Sequence, residues 1–195
     1  MRDFAENLRR QIPGALSVAE CVRLGEVASA ATSTRALEVG HYLGLSTAVL
    51  LSSLPAGCEL VTVDHHQGDD WSGGTSFATF LDNVAPYVGD PRLFSAVNED
   101  MRTALPELDC RFGFCFYDAD HTAEAVAEFW ERAAGLLEQE CTLVFDDADW
   151  TEQSTLRGLA EADGFRVVTD TEFHRGSGDK DNPLTYTLEI MVRGR

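Results

Sequence analysis

Asp118, Asp146 and Asp147 follow the apolar runs Phe112-Gly113-Phe114-Cys115-Phe116-Tyr117 and Leu143-Val144-Phe145. Such runs read as strands covered on both faces, which sets the three acids at strand ends. In an open parallel sheet those ends share one crevice, where ligands bind. Carboxylates gathered there repel one another unless a cation relieves them, and an all-oxygen donor set suits Mg²⁺ or Ca²⁺. The plainer alternatives are that Asp118 bonds loop amides and that Asp146 and Asp147 cap the next segment. His121 stands three residues after Asp118, and an imidazole titrates near neutrality, as a general base should. Its alternative is to orient Asp118 or Asp120, while Asp120 reads as the N-cap of the next helix.

A second stretch matches these acids with a turn. Ala36-Leu37-Glu38-Val39-Gly40-His41-Tyr42-Leu43-Gly44-Leu45-Ser46-Thr47 reads as strand, turn and helix start. Gly40 and Gly44 permit a sharp bend and close approach of the backbone to a ligand. The free N–H groups at the helix start, near Ser46 and Thr47, favour an anion. The spacing is neither the dinucleotide fingerprint nor a P-loop, which argues against an NAD-type oxidoreductase. Asp64 ends Leu60-Val61-Thr62-Val63 a little over twenty residues on, where an acid accepts hydrogen bonds from a ribose; otherwise it is a loop acid. His65 and His66 follow it and pack beside that ligand.

The elements that position these groups alternate along the chain. The pattern predicts strands near 36–40, 59–64, 93–97, 112–118, 141–146, 165–169 and 185–192. It predicts helices over 17–31, capped by Ser17, and near 46–54, 76–85, 121–138 and 151–162, with a turn at Ile12-Pro13-Gly14. This alternation indicates a parallel α/β sheet. The polar loops 65–74 and 174–183 are either disordered tips or substrate covers, and the second separates an antiparallel last pair of strands. Trp71 is a substrate-facing aromatic or a loop anchor, and His174 a surface residue.

Composition bounds the rest. The 195 residues are expected to form one domain, 1–195, with a helical segment 1–35 before a core 36–195. With 15 basic and 33 acidic residues the net charge is −18, which argues against a nucleic-acid partner. No apolar run is long enough to span a bilayer, and the first residues lack a leader's apolar stretch, so a cytoplasmic protein is expected. Cys21, Cys58, Cys110, Cys115 and Cys141 have no metal-type spacing and read as reduced thiols.

From Ile12 to Trp150 the chain resembles the class I S-adenosylmethionine-dependent methyltransferases. It is most similar to the catechol and caffeoyl-CoA O-methyltransferases and the small bacterial group with an Asp-x-Asp-His motif, here Asp118-Ala119-Asp120-His121. The resemblance implies a Rossmann-like α/β sheet of seven mostly parallel strands, order 3-2-1-4-5-7-6, with an antiparallel last strand and helices on both faces. It implies that Glu38, Gly40 and Tyr42 lie against the methionine part of the cofactor and that Ser46 binds its carboxylate. Asp64 would hold the ribose, Asp100 and Met101 would meet adenine, and Asp118 would border the cofactor. Asp118, Asp146 and Asp147 would bind Mg²⁺ or another divalent ion, with Asp147 and His121 standing where those families carry Asn and Lys. Trp150 matches a Trp of the caffeoyl-CoA type. The implied activity is methyl transfer to a hydroxyl of a small molecule, by a protein that pairs as a homodimer. The alternatives are a metal-independent O- or N-methyltransferase and a non-catalytic nucleoside-binding module.

Overall fold

The structure is a computed structural model and describes residues 1–67, 74–147, 153–173 and 186–194. Seven strands among these residues form one sheet: β1 (Arg35–Val39), β2 (Glu59–Val63), β3 (Phe94–Val97), β4 (Phe112–Tyr117), β5 (Leu137–Phe145), β6 (Arg166–Phe173) and β7 (Tyr186–Arg193). Their order is β3-β2-β1-β4-β5-β7-β6. β7 runs antiparallel to both neighbours, and the other pairs are parallel. The helices are α1 (Arg2–Gln11), α2 (Val18–Ser29), α3 (Leu45–Ser53), α4 (Phe77–Val84), α5 (Met101–Ala104), α6 (Ala123–Ala133) and α7 (Gln153–Ala162).

Side chains two apart on a strand share a face, so the sheet carries two apolar layers. Leu37, Val39, Cys115, Tyr117, Leu143 and Phe145 face one way and pack with Val126 and Phe129 of α6 and Leu156 of α7. Ala36, Leu60, Phe114, Phe116 and Val144 face the other and pack with Leu8 of α1, Leu24 of α2 and Ala48 of α3. Because β1 and β4 are central, their strand ends are braced by a neighbour on each side. All five cysteines are free thiols. No helix of the described residues is long and apolar enough to cross a membrane.

The junction of α6 and β5 differs from the sequence expectation. The helix expected over 121–138 ends at Ala133, a 3-10 turn spans Ala134–Leu136, and β5 starts at Leu137. The stretch Leu137-Glu138-Gln139-Glu140 holds good helix formers, but Leu137 pairs with Phe112 of β4, and sheet pairing overrides propensity. The short α5 has no apolar period of its own, and α1 has few apolar residues among its charges, so neither is located by pattern.

Candidate active site

The ends of five strands, β1 to β5, are stitched together by backbone hydrogen bonds beyond the strands themselves. The Gly40 N–H donates to the Val63 carbonyl at 2.9 Å, and the Asp118 N–H to the Val39 carbonyl at 2.9 Å. The Asp64 N–H reaches the Val97 carbonyl at 3.1 Å, and the Asp146 N–H the Tyr117 carbonyl at 3.0 Å. Gly40 has φ +85°, and a Cβ there would stand 1.9 Å from the Asp118 carbonyl oxygen. The glycine turn and the first aspartate are therefore in backbone contact. The non-glycine residues with positive φ, Tyr42, His66 and Asp147, belong to this same edge among the described residues. Backbone held in that region is strained and collects at functional sites.

Glu38 is fully buried on β1. The Thr47 hydroxyl, in the first turn of α3, donates to its Oε2 at 2.7 Å, while Oε1 has no hydrogen-bond partner. Burial pushes its pKa up to about 8, against the opposing influence of the nearby Ser46 and Thr47 hydroxyls. Ser46 is buried beside it, whereas Tyr42 is exposed.

Asp64 is fixed by three backbone donors. Its Oδ2 accepts from the N–H groups of His41 (3.0 Å) and Tyr42 (2.9 Å), and its Oδ1 from that of His66 (2.8 Å). Burial opposes its charge, but the neighbouring His41 and these three donors outweigh it and hold the pKa below the ordinary value. The buried imidazoles of His41 and His66 face each other, Nε2 to Nε2, at 3.0 Å. His41 Nδ1 bonds the Thr62 hydroxyl, and His66 Nδ1 bonds the Thr75 hydroxyl at 2.9 Å. The His41 ring also stacks on Phe80 of α4, centroids 3.9 Å apart. Burial brings the His41 pKa down to about 3 and lowers that of His66.

Asp146 and Asp147 are buried, and Asp146 Oδ1 has no hydrogen-bond partner. Asp118 keeps 24% of its side chain exposed. Burial first, then the nearby Asp147 and Glu20, push the Asp118 pKa up to about 8. Asp146 is raised well above its ordinary value by burial and by Asp118, Asp147 and Glu20. His121 Nε2 lies 3.4 Å from Asp147 Oδ2 and 3.9 Å from Asp118 Oδ1. Glu20, fully buried on α2, joins this group although sequence reading passed over it. The available signal was its place three residues after Ser17, and the two do form a capping box. A capping glutamate gives no hint of acids a hundred residues away. The ligand atoms of Asp118, Asp146 and Asp147 do not close within 4.8 Å of one another; among the described residues the trio that does is His41, Asp64 and His66.

These raised acids set a pH dependence. The folded protein holds protons on Glu38 and Asp118 up to about pH 8, which the unfolded chain releases near pH 4. Their contribution is complete below pH 4 and is lost as pH rises through 8, because the native state binds more protons in that window. Urea midpoints of the cation-free protein are expected to fall from pH 6.5 to 8, and Glu38→Gln to reduce the slope by about 1.4 kcal/mol per pH unit. Equal slopes would show that Glu38 is already ionised in the fold.

Asp100 caps α5, accepting from the Arg102 N–H at 2.8 Å, and pairs with the Arg102 guanidinium at 3.1 Å. Met101 is buried in the core layer with Val39 and Val63. Asp120 is not the N-cap of α6. That position is Thr122, whose hydroxyl accepts from the Ala125 N–H at 3.2 Å, because the helix starts two residues later than expected. Asp120 instead accepts from the Thr122 N–H at 2.9 Å, an Asx turn leading into the cap. Trp71, Trp150 and His174 lie outside the described residues.

A sheet of order 3-2-1-4-5-7-6 with an antiparallel last-numbered strand, a glycine turn after β1 and an acid after β2 is the class I S-adenosylmethionine-dependent methyltransferase fold. The chain belongs to the family described as "Methyltransferase domain", which it matches over residues 37–148, more than half its length. No curated protein matches it significantly. Among solved structures it is similar to the O-methyltransferase TomG of Streptomyces achromogenes, involved in tomaymycin synthesis and solved with S-adenosylmethionine: 21% identity over 99% of this chain and 89% of that one, TM-score 0.66. It is also similar to the Bacillus cereus O-methyltransferase solved with S-adenosylhomocysteine, at 15% identity over 99% and 90%, TM-score 0.67. The S-adenosylhomocysteine-bound methyltransferase PaMTH1 of Podospora anserina aligns at 17% identity over 99% and 86%, TM-score 0.66.

Proposed function

We propose that this methyltransferase moves the methyl group of S-adenosylmethionine to a hydroxyl oxygen of a small molecule, assisted by a divalent cation at the aspartate cluster. The observation that carries the reading is the backbone contact of Gly40 with Asp118, which sets the cofactor turn beside the acids. Two buried oxygens without partners suit the incoming groups: Glu38 Oε1 the ammonium of the methionine part, and Asp146 Oδ1 a cation. Gly40, Tyr42 and Ser46 complete the methionine side, Asp64 takes the ribose, and Asp100 and Met101 take the adenine.

Asp118, Asp146 and Asp147 would hold the cation, which when bound supplies the Lewis acidity that lowers the acceptor hydroxyl's pKa. His121 receives the hydroxyl proton at Nε2, and Asp147, 3.4 Å away, stabilises the imidazolium. The strand ends hold nucleophile, carbon and sulfur in line, since the sulfonium is already an activated donor. Residues 1–35 belong to the same domain in this reading, and through Glu20 they border the acceptor side. The open spacing of the three aspartates favours a second reading, in which neutral acids position a polar acceptor without metal.

The test is a screen of phenolic, sugar and polyketide hydroxyls with labelled methyl donor, followed by EDTA treatment. Transfer is expected to fall at least about tenfold in EDTA and to return with Mg²⁺. Activity that survives complete metal removal selects the metal-free reading. A protein that binds neither S-adenosylmethionine nor S-adenosylhomocysteine in calorimetry refutes both.

A further inference from the structure

We infer that His41, His66 and Asp64 form a transition-metal site, separate from the aspartate cluster and suited to Zn²⁺. Three ligand atoms from these residues lie within 4.8 Å of one another. The Nε2 atoms of the two imidazoles stand 3.0 Å apart. Ligands of a tetrahedral Zn²⁺ with bonds of about 2.0–2.1 Å stand about 3.3 Å apart, so the two rings need open by only a few tenths of an ångström.

The second ring nitrogens carry the argument further. A metal-bound imidazole hands its other N–H to a fixed acceptor, which sets the tautomer and aims the ring. Here both Nδ1 atoms have such a partner, the Thr62 hydroxyl for His41 and the Thr75 hydroxyl for His66. With both Nδ1 atoms protonated, two bare lone pairs confront each other at Nε2, and a cation removes that repulsion. Without a metal, one Nε2 must carry the proton, and the rings form a relay between the two threonines.

Both histidines are buried, and the set draws on separate elements. His41 belongs to the glycine turn, Asp64 ends β2 and His66 lies in the loop beyond. Asp64 is held by three N–H donors, and its Oδ1 accepts just one of them, which leaves capacity for a ligand bond. Two imidazoles and a carboxylate with a fourth position for water are a Zn²⁺ donor set, whereas the aspartate cluster offers oxygens alone. An ion here would pin the loop after β2 to the turn. The ribose of a nucleoside would draw on the same Asp64 oxygen, so the titration is run without nucleoside.

The experiment titrates the metal-stripped full chain with Zn²⁺ by calorimetry and with Co²⁺ by visible absorption, beside His41→Gln, His66→Asn and Asp118→Asn. Asn is chosen at position 66 because it tolerates the φ of +57° there. One equivalent of Zn²⁺ is expected to bind, Co²⁺ to give the intense bands of a four-coordinate site, and both histidine variants to weaken binding at least tenfold. Asp118→Asn is expected to bind Zn²⁺ as the parent does. Circular dichroism checks the fold of each variant, and anomalous density in a Zn²⁺-soaked parent crystal decides the matter should a variant not fold. Zn²⁺ density at the aspartates alone, histidine variants that bind normally, or no binding overturns the site. Methyl transfer is read separately, with Mg²⁺ and no Zn²⁺, so failure of this site leaves the methyltransferase reading standing.

Discussion

Gly40→Ala is expected to cost at least about 4 kcal/mol of stability, a large share of the roughly 5–15 kcal/mol that holds a domain folded. The new Cβ would stand 1.9 Å from the Asp118 carbonyl oxygen, and φ there is +85°. Neither partner can retreat. Gly40 is tied to Val63 and Asp118 to Val39, each at 2.9 Å, and both follow central strands. Gly57→Ala is the control, with φ +88° and nothing within 4 Å of the added carbon, so it pays only the left-handed strain of about 1–2 kcal/mol. Urea unfolding of both variants separates clash from strain. Similar midpoints for the two would mean that the strand ends are less firmly joined than their hydrogen bonds indicate.

That tight joint explains which parts of the molecule were legible in the sequence. The runs at 112–117 and 143–145 contain hardly a polar residue, and such strands can lie only in the middle of a covered sheet. Gly40 and Gly44 mark a turn because their φ values, +85° and +94°, are open mainly to glycine. The family resemblance supplied the strand order. The boundary between α6 and β5 was not legible, because pairing with Phe112 decides it against the local preference of Glu138 and Glu140.

The site was legible in its acids but not in its company. Asp64, Asp118, Asp146 and Asp147 announce themselves by standing at the ends of apolar runs. Glu20 does not, because it lies in an amphipathic helix that meets the cluster only through tertiary packing. His41 and His66 are equally hidden. Their ring contact depends on Tyr42 and His66 adopting positive φ, which local propensity disfavours at a non-glycine residue. Sequence spacing can place a residue on an element, but a contact made by two strained loops is settled only by the surrounding fold.

The same density of buried acids leads to the second large effect. Asp118→Asn is expected to lower kcat/KM for the acceptor found by screening by about 10³-fold, or about 4 kcal/mol of transition-state stabilisation. The substitution keeps the side chain's shape and removes only its capacity for negative charge. In the folded protein that capacity is held in reserve, since burial and Asp147 raise the carboxyl pKa to about 8. An incoming cation or a developing positive charge is what makes ionisation favourable, so the charge appears where chemistry needs it. An amide cannot supply it, and His121, 3.9 Å away, then has Asp147 as its carboxylate neighbour on this side. S-adenosylhomocysteine affinity is expected to change less than tenfold, and urea stability at pH 8 to rise, because the raised acid no longer has to ionise inside the fold. A variant that transfers methyl groups within tenfold of the parent would make Asp118 a packing residue. The raised pKa would then reflect burial alone, and the catalytic role would pass to Asp147 and His121.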